Sequence, residues 1–314
     1  MSAAKYRPTR GPGETLAGLG ASAVEMLRGR RWIVLAVVVL AGGTWGGFAI
    51  WQQVRDFVAA HDEYRLTAAD IEITPPPPWV RGDIRAQVLR DAGLGPGPDG
   101  GMSILDDQLV ERLHQAFSLH PWVERVERVS KRHPAHVDVE LVYRRPAAMV
   151  EIPGAEGAGL YPVDADGVLL PSSDFSPVEA LVYPRLAGVE SSPLGPVGMR
   201  WGDPVVAGGA RIAAVLQPQW ATLNLWSIRW VKPSAGSDAS APAIYDLTAA
   251  GGNVIHWGAA PGSEPPGEPT AEKKLARLQS IAARSGTLDA PAAKGLDLRR
   301  PDSTAGARQK DELR

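Results

Sequence analysis

The segment Trp32–Trp51, WIVLAVVVLAGGTWGGFAIW, runs twenty residues without one charged side chain. As an α-helix rising about 1.5 Å per residue it would be roughly 30 Å long, the hydrocarbon thickness of a bilayer. Trp32 and Trp51 stand at its two ends, where an indole can sit half in lipid and half in water. A soluble helix of this length carries a polar stripe, and this segment offers only Thr44. The sequence therefore predicts a transmembrane helix over 32–51.

Residues 1–31 hold Lys5, Arg7, Arg10, Arg28, Arg30 and Arg31 against Glu14 and Glu25, a balance of +4. The far flank mixes signs: Arg55, Asp56, Asp62, Glu63, Arg65. The positive-inside bias puts a tail of residues 1–31 in the cytoplasm, and a linker over 52–63 leads to everything beyond on the outside. A cleaved leader is the competing reading. Val58-Ala59-Ala60 is a passable cleavage site, but the apolar run exceeds the roughly 7–15 residues of a leader. Gly42 and Gly46, and Gly43 and Gly47, form two G-x-x-x-G pairs that would let another helix approach closely.

The whole chain of 314 residues has a formal charge of −2, so the part after residue 31 carries −6. That is no nucleic-acid footprint. There are no cysteines, which excludes disulfides, thiolate metal sites and a Cys nucleophile. No G-x-S-x-G, H-E-x-x-H, Walker-type lysine loop or C-x-x-C occurs, so no catalytic, cofactor-binding or metal-ligating residue is assigned and no small-molecule substrate is expected. Gly95–Gly100 formally matches G-x-G-x-x-G, but Pro96 and Pro98 remove two of the N–H donors that a phosphate cradle needs.

Two outer modules follow, over 64–150 and 151–300. In the first, Tyr64–Thr74 reads as a short strand stopped by Pro75–Pro78. A helix over about 81–92 carries Ile84, Val88 and Leu89 on one face. A second begins at Ser103, with Asp106 as its capping partner and a stripe of Leu109, Val110, Leu113, Ala116 and Phe117. Val137, Val139, Leu141 and Tyr143 alternate as a half-buried strand. Val123, Val126 and Val129 recur every three, which we read as a strand with one extra residue, a β-bulge. His133 and His136 stand three apart around Pro134, which we read as a hairpin turn and not as a metal site.

The second module opens on Leu160–Pro171, a hairpin turning at Asp166-Gly167; a calcium loop would need a further acidic position and a closing Glu. A short apolar helix over 210–216, a strand over 223–231, a polar insert over 234–242 and a hairpin of 244–247 with 253–257 come next. An amphipathic helix over 271–284 presents Leu275, Leu278, Ile281 and Ala282 inward, ended by Ser285-Gly286. Leu296–Arg300 is the last periodic element, and 301–314 reads as a disordered tail.

The order β-α-α-β-β, the phrase His120-Pro121-Trp122-Val123, Pro134, Val137-x-Val139 and Arg144-Arg145-Pro146-Ala147 resemble the POTRA domain of the FtsQ/DivIB cell-division proteins. Val163-Asp164 with Gly167, Pro184-Arg185-Leu186-Ala187-Gly188 and Asp297-Leu298-Arg299 resemble successive segments of that family's β domain. The chain departs from the pattern at Pro75–Pro78, at Tyr143, at Gly295 and at Arg300. The resemblance implies an α+β protein of the inner membrane: a single N-terminal transmembrane helix, a POTRA domain, then a mainly antiparallel β domain with flanking helices.

It also implies a non-enzymatic scaffold at the division septum, binding FtsB/FtsL-like proteins and other divisome components. The implied partner-binding residues are Leu275, Leu278, Ile281, Leu296, Asp297, Leu298, Arg299 and Arg300, where a partner's strand would add to an open edge. The implied recruitment edge lies over 123–132, with Val123, Val126 and Val129. On this reading Leu298→Pro, by removing an N–H from the ladder, abolishes partner binding. The alternative is a POTRA-bearing polypeptide-docking protein of envelope export or assembly.

Overall fold

The computed structural model describes residues 31–59, 64–94, 102–153, 159–233 and 241–301. The expectations for residues 1–30, the Val58–Ala60 cleavage site as a whole, the Gly95–Gly100 loop, most of the 234–242 insert and the 302–314 tail lie outside them. The chain divides into two compact units, Met1–Arg65 and Leu66–Arg314.

In the first unit, helix α1 (Arg31–Ala59) continues beyond both ends of the uncharged run. Its window Leu35–Gln52 is long and apolar enough to cross a membrane and has no residue buried. Trp32, Val38, Leu40 and Trp45 are all more than half exposed. A Cβ added at Gly42, Gly43, Gly46 or Gly47 would meet nothing within 4 Å.

The second unit is α+β, and among its described residues lie two sheets of three or more strands. The smaller has the order β1-β3-β2, from β1 (Ile71–Ile73), β2 (Val123–Arg132) and β3 (His136–Tyr143). β1 lies parallel to β3, and β2 antiparallel. Helices α2 (Ile84–Asp91) and α3 (Leu109–Ser118) cover the face where Ile71, Val137, Val139 and Leu141 are buried. Asp83 caps α2 by accepting from the Ala86 N–H at 3.0 Å.

Three local expectations are corrected here. The expected first strand is split into two short strands, Arg65–Leu66 and Ile71–Ile73, by a 3₁₀ turn at Ala68–Asp70 that Thr67 and Asp70 close on each other. α3 starts at Leu109 and not at Ser103. The Ser103 hydroxyl and the Asp106 carboxylate accept from the N–H groups of Leu105 and Gln108, two residues on, so both close local turns instead of capping a helix. The third concerns β2, whose register shifts twice, between Val123 and Arg125 and between Val126 and Arg128. Each shift adds a residue and so turns a period of two into a period of three. That is why Val123, Val126 and Val129 share the sheltered side while the charged residues between them are exposed.

The larger sheet has the order β9-β8-β7-β6-β4-β5: β4 (Pro146–Ile152), β5 (Gly159–Asp164), β6 (Arg185–Ala187), β7 (Leu225–Val231), β8 (Ile244–Ala249) and β9 (Val254–Ala259). Its outer pairs are antiparallel, but β6 runs parallel to both β4 and β7, so the sheet is mixed at its centre. The five residues Pro146–Val150 are all buried, which suits a strand with neighbours on both sides and cover on both faces. Pro146 sits at the strand's first position, where a missing N–H costs least.

Helix α4 (Pro204–Leu216) begins six residues earlier than its apolar run suggests, because Asp203 caps it by accepting from the Val205 N–H at 2.8 Å and Pro204 takes the first position. Its small residues let it press on the sheet. A Cβ at Gly208 would stand 2.3 Å from the Tyr245 hydroxyl, and one at Gly209 would stand 2.4 Å from Leu186. Helix α5 (Ala271–Ser285) ends at Gly286, whose φ of +77° reverses the chain. Both helices contribute to one core with Trp201, Trp257 and Leu298.

The two sheets are joined through side chains. The Trp122 indole N–H donates to Asp174 at 2.7 Å, and the Trp79 indole N–H donates to the Arg144 carbonyl at 3.1 Å. Arg81 pairs with Glu179 across the same joint. Arg144 pairs with Asp164 at 2.8 Å, with side chains 16% and 8% exposed. Asp164 also accepts from the N–H groups of Asp166 and Val168, which builds the tight turn.

Candidate functional site

β9 is the last regular strand of the large sheet, and one further segment lies beyond it. Helix α5 positions that segment. Lys274 on α5 is buried, its ammonium 2.5 Å from Glu268 and 5.1 Å from the centre of the Trp257 ring. Glu268 in turn accepts from the Ala259 N–H at 2.8 Å, so the pair ties α5 to the end of β9. Leu278 and Ile281 are buried beneath the helix, and Leu275 is half-buried.

After a turn at Gly295, with φ +68°, the chain runs parallel to β9. The His256 N–H donates to the Leu296 carbonyl at 2.8 Å, and the Leu298 N–H donates to the His256 carbonyl at 2.9 Å. These bonds form one parallel bridge, His256 with Asp297. His256 also meets Asp246 of β8 through Nδ1 at 2.8 Å, across the β8–β9 pair.

Alternation then points the backbone groups of Asp297 away from β9. Its carbonyl accepts from Arg277 Nη1 at 3.1 Å, and the same nitrogen donates to the Arg300 carbonyl at 3.0 Å. Its carboxylate accepts from Arg299 three times: Nε at 2.9 Å, Nη2 at 2.8 Å and the backbone N–H at 3.0 Å. Those charged hydrogen bonds from Arg299 hold the Asp297 carboxyl down at about 2.

The expected strand over Leu296–Arg300 is therefore corrected to a single bridge centred on Asp297. The physical reason is the clasp itself: the Asp297 carboxylate recruits the N–H of Arg299, and the backbone bends at 299–300. The expectation for Leu298→Pro is corrected as well. The N–H of Leu298 faces β9 and its side chain is fully buried, so proline there breaks the fold's own bridge.

Of the eight residues singled out on this surface, Leu278 and Leu298 are core and Ile281 is buried. Leu275, Leu296 and Asp297 are half-buried; Arg299 and Arg300 are exposed. Arg277, which covers the outward carbonyl, was absent from the sequence reading. Its position one turn before Ile281 carried no signal beyond a basic residue on the helix's polar side.

The other expected edge, β2, lies in the small sheet and shares no surface with Asp297 through either ladder. Val123 is fully buried against the core, and Val126 and Val129 are half-buried. Arg125 bonds to Glu124 and Glu127 at 3.1 and 3.0 Å, and Arg128 pairs with Glu140 of β3. Bulges and charges of both signs are the means by which an edge strand discourages unselective pairing.

A hollow of about 770 Å³ lies between the start of α4 and the ends of β7 and β8, lined by Val205, Gly208, Arg211, Trp230 and Tyr245 among others. Three of its polar side chains are committed elsewhere. The Tyr245 hydroxyl donates to the Val205 carbonyl at 2.8 Å, Arg211 donates to the Ala207 and Pro261 carbonyls, and Lys232 pairs with Glu190 at 2.5 Å.

No protein-family model matches this chain, and no curated protein matches it.

Proposed function

We propose that the chain is a non-enzymatic, single-span membrane scaffold of the FtsQ/DivIB type. On this reading residues 64–150 form a POTRA domain, residues 151–300 form the β domain, and α1 anchors both outside the inner membrane with the N-terminus in the cytoplasm. The partners are FtsB/FtsL-like chains, one of which adds a strand outside Asp297. The place of work is the division septum.

One observation carries the reading. Among the described residues, Leu296–Leu298 lies outermost on the large sheet, bonded to β9 on one side, while on the other the Asp297 carbonyl is held by the Arg277 side chain. A side chain can be displaced where a paired strand would not be, and an outward-facing backbone edge is the means of strand addition. The order of elements Ile71–Tyr143 supports the POTRA assignment, as does the uncharged run of α1 the anchor.

Two experiments test it. A fluorescently tagged full-length chain is expected to concentrate at mid-cell, and even distribution around the membrane overturns the division role. The chain has no cysteine, so one placed at Arg300 gives a unique cross-linking handle. It is expected to capture a partner strand in the parent. Capture is expected to be lost in Asp297→Pro, which removes the outward N–H, and retained in Asp297→Asn, which keeps it. Equal capture in both variants overturns strand addition at this edge. Capture confined to handles on β2 would favour the polypeptide-docking alternative.

A further inference from the structure

Among the described residues, three metal-ligating side chains converge on the face of the small sheet away from α2 and α3. Glu72 of β1 and Asp138 of β3 are direct neighbours in the parallel ladder. His136 precedes Asp138 by two residues and so points to the same face. His136 Nε2 lies 3.3 Å from Glu72 Oε2 and 3.5 Å from Asp138 Oδ1, and one ligand atom from each of the three lies within 4.8 Å of the others. Arg132, opposite His136 on β2, reaches Glu72 at 3.3 Å and also pairs with Asp138.

Each of the three can give a lone pair to one cation: a carboxylate oxygen of Glu72, a carboxylate oxygen of Asp138 and a ring nitrogen of His136. Their ligand atoms are close enough together for a single ion to bridge all three. The three ligands stand on paired strands, so their spacing is fixed before any ion arrives.

We propose that Glu72, His136 and Asp138 form a surface site for a divalent transition-metal ion, with water completing its shell and Arg132 swinging out as the cation it displaces. An imidazole with two carboxylates suits Zn²⁺ and its first-row neighbours, and three protein ligands plus water is a regular open zinc shell. Hard cations gain little from the imidazole. The ion would pin the three-residue strand β1 to the β2–β3 hairpin, which nothing in the strand-addition reading requires.

The test uses the full-length chain in detergent micelles, stripped with chelator and titrated with Zn²⁺ against a fluorescent competitor. The parent is expected to show a saturable site whose affinity falls about tenfold or more in His136→Ala and in the double variant Glu72→Gln/Asp138→Asn. Arg132→Gln is expected to tighten binding by about fivefold, since two exposed ion pairs no longer compete. That gain cannot come from a damaged fold. Equal affinity in the parent and His136→Ala overturns the site, as does weaker binding in Arg132→Gln. Ca²⁺ binding as tight as Zn²⁺ overturns the choice of metal class.

Discussion

Lys274 is a full positive charge with no exposed side-chain surface, and it is tolerable only because Glu268, the Ala259 carbonyl and the Trp257 ring surround it. Removing the ammonium alone leaves a carboxylate that is 8% exposed without its partner. Lys274→Met is expected to cost about 3 kcal/mol by chemical denaturation, and Lys274→Met with Glu268→Leu is expected to cost less than the single change. The Asp297 clasp makes a prediction about acid. A carboxyl held at about 2 in the fold and near 3.8 when free contributes stability above about pH 4, and that contribution is lost as pH falls through about 2. A carbon-detected titration of Asp297 is expected to place its midpoint near 2, and Arg299→Gln is expected to move it up. Arg277→Ala uncovers the Asp297 carbonyl. It is expected to tighten partner capture by about threefold, since one ordinary hydrogen bond no longer has to be exchanged.

At the scale of elements, α4 and the large sheet approach as closely as glycine allows. The Tyr245 hydroxyl that would meet a Cβ on Gly208 is itself bonded to the Val205 carbonyl, and the residue is fully buried, so it has nowhere to retreat. Gly208→Ala is expected to destabilise the chain by about 2 kcal/mol, read as a shifted denaturation midpoint with an unchanged slope. Regular elements of this kind were legible in the sequence: both helices of the first module, the β8–β9 hairpin and α5 follow from periodicity and turn signals. What failed was local. Ser103 and Asp106 carry the letters of a capping box, yet a polar side chain that can cap a helix can equally close a turn, and spacing does not decide which. The two bulges of β2 give a strand a helical-looking repeat. Only one of the two was read from the Val spacing.

At the scale of the whole molecule, the two sheets behave as parts of one compact unit because aromatic and charged side chains cross between them. Trp122 is 1% exposed, packs 6.1 Å from the Phe175 ring, and spends its indole N–H on Asp174. Trp122→Ala is expected to cost about 4 kcal/mol and to split a single unfolding transition into two, followed by intrinsic fluorescence and by far-ultraviolet dichroism. A single coincident transition in that variant would mean the coupling lies elsewhere in the joint.

By itself the sequence determined what depends on near neighbours: the uncharged run that makes α1, the alternation and caps of most elements, and the absence of thiol chemistry. Those follow from spacing along one chain, because a helix or strand repeats its own geometry every few residues. Only the tertiary structure decided which backbone groups at Asp297 face outward, that Arg277 covers one of them, that Leu298 is core, and that Glu72 meets His136 and Asp138. Each of those meetings joins residues far apart in sequence or on different elements, and a one-dimensional pattern carries no record of which edges will lie side by side.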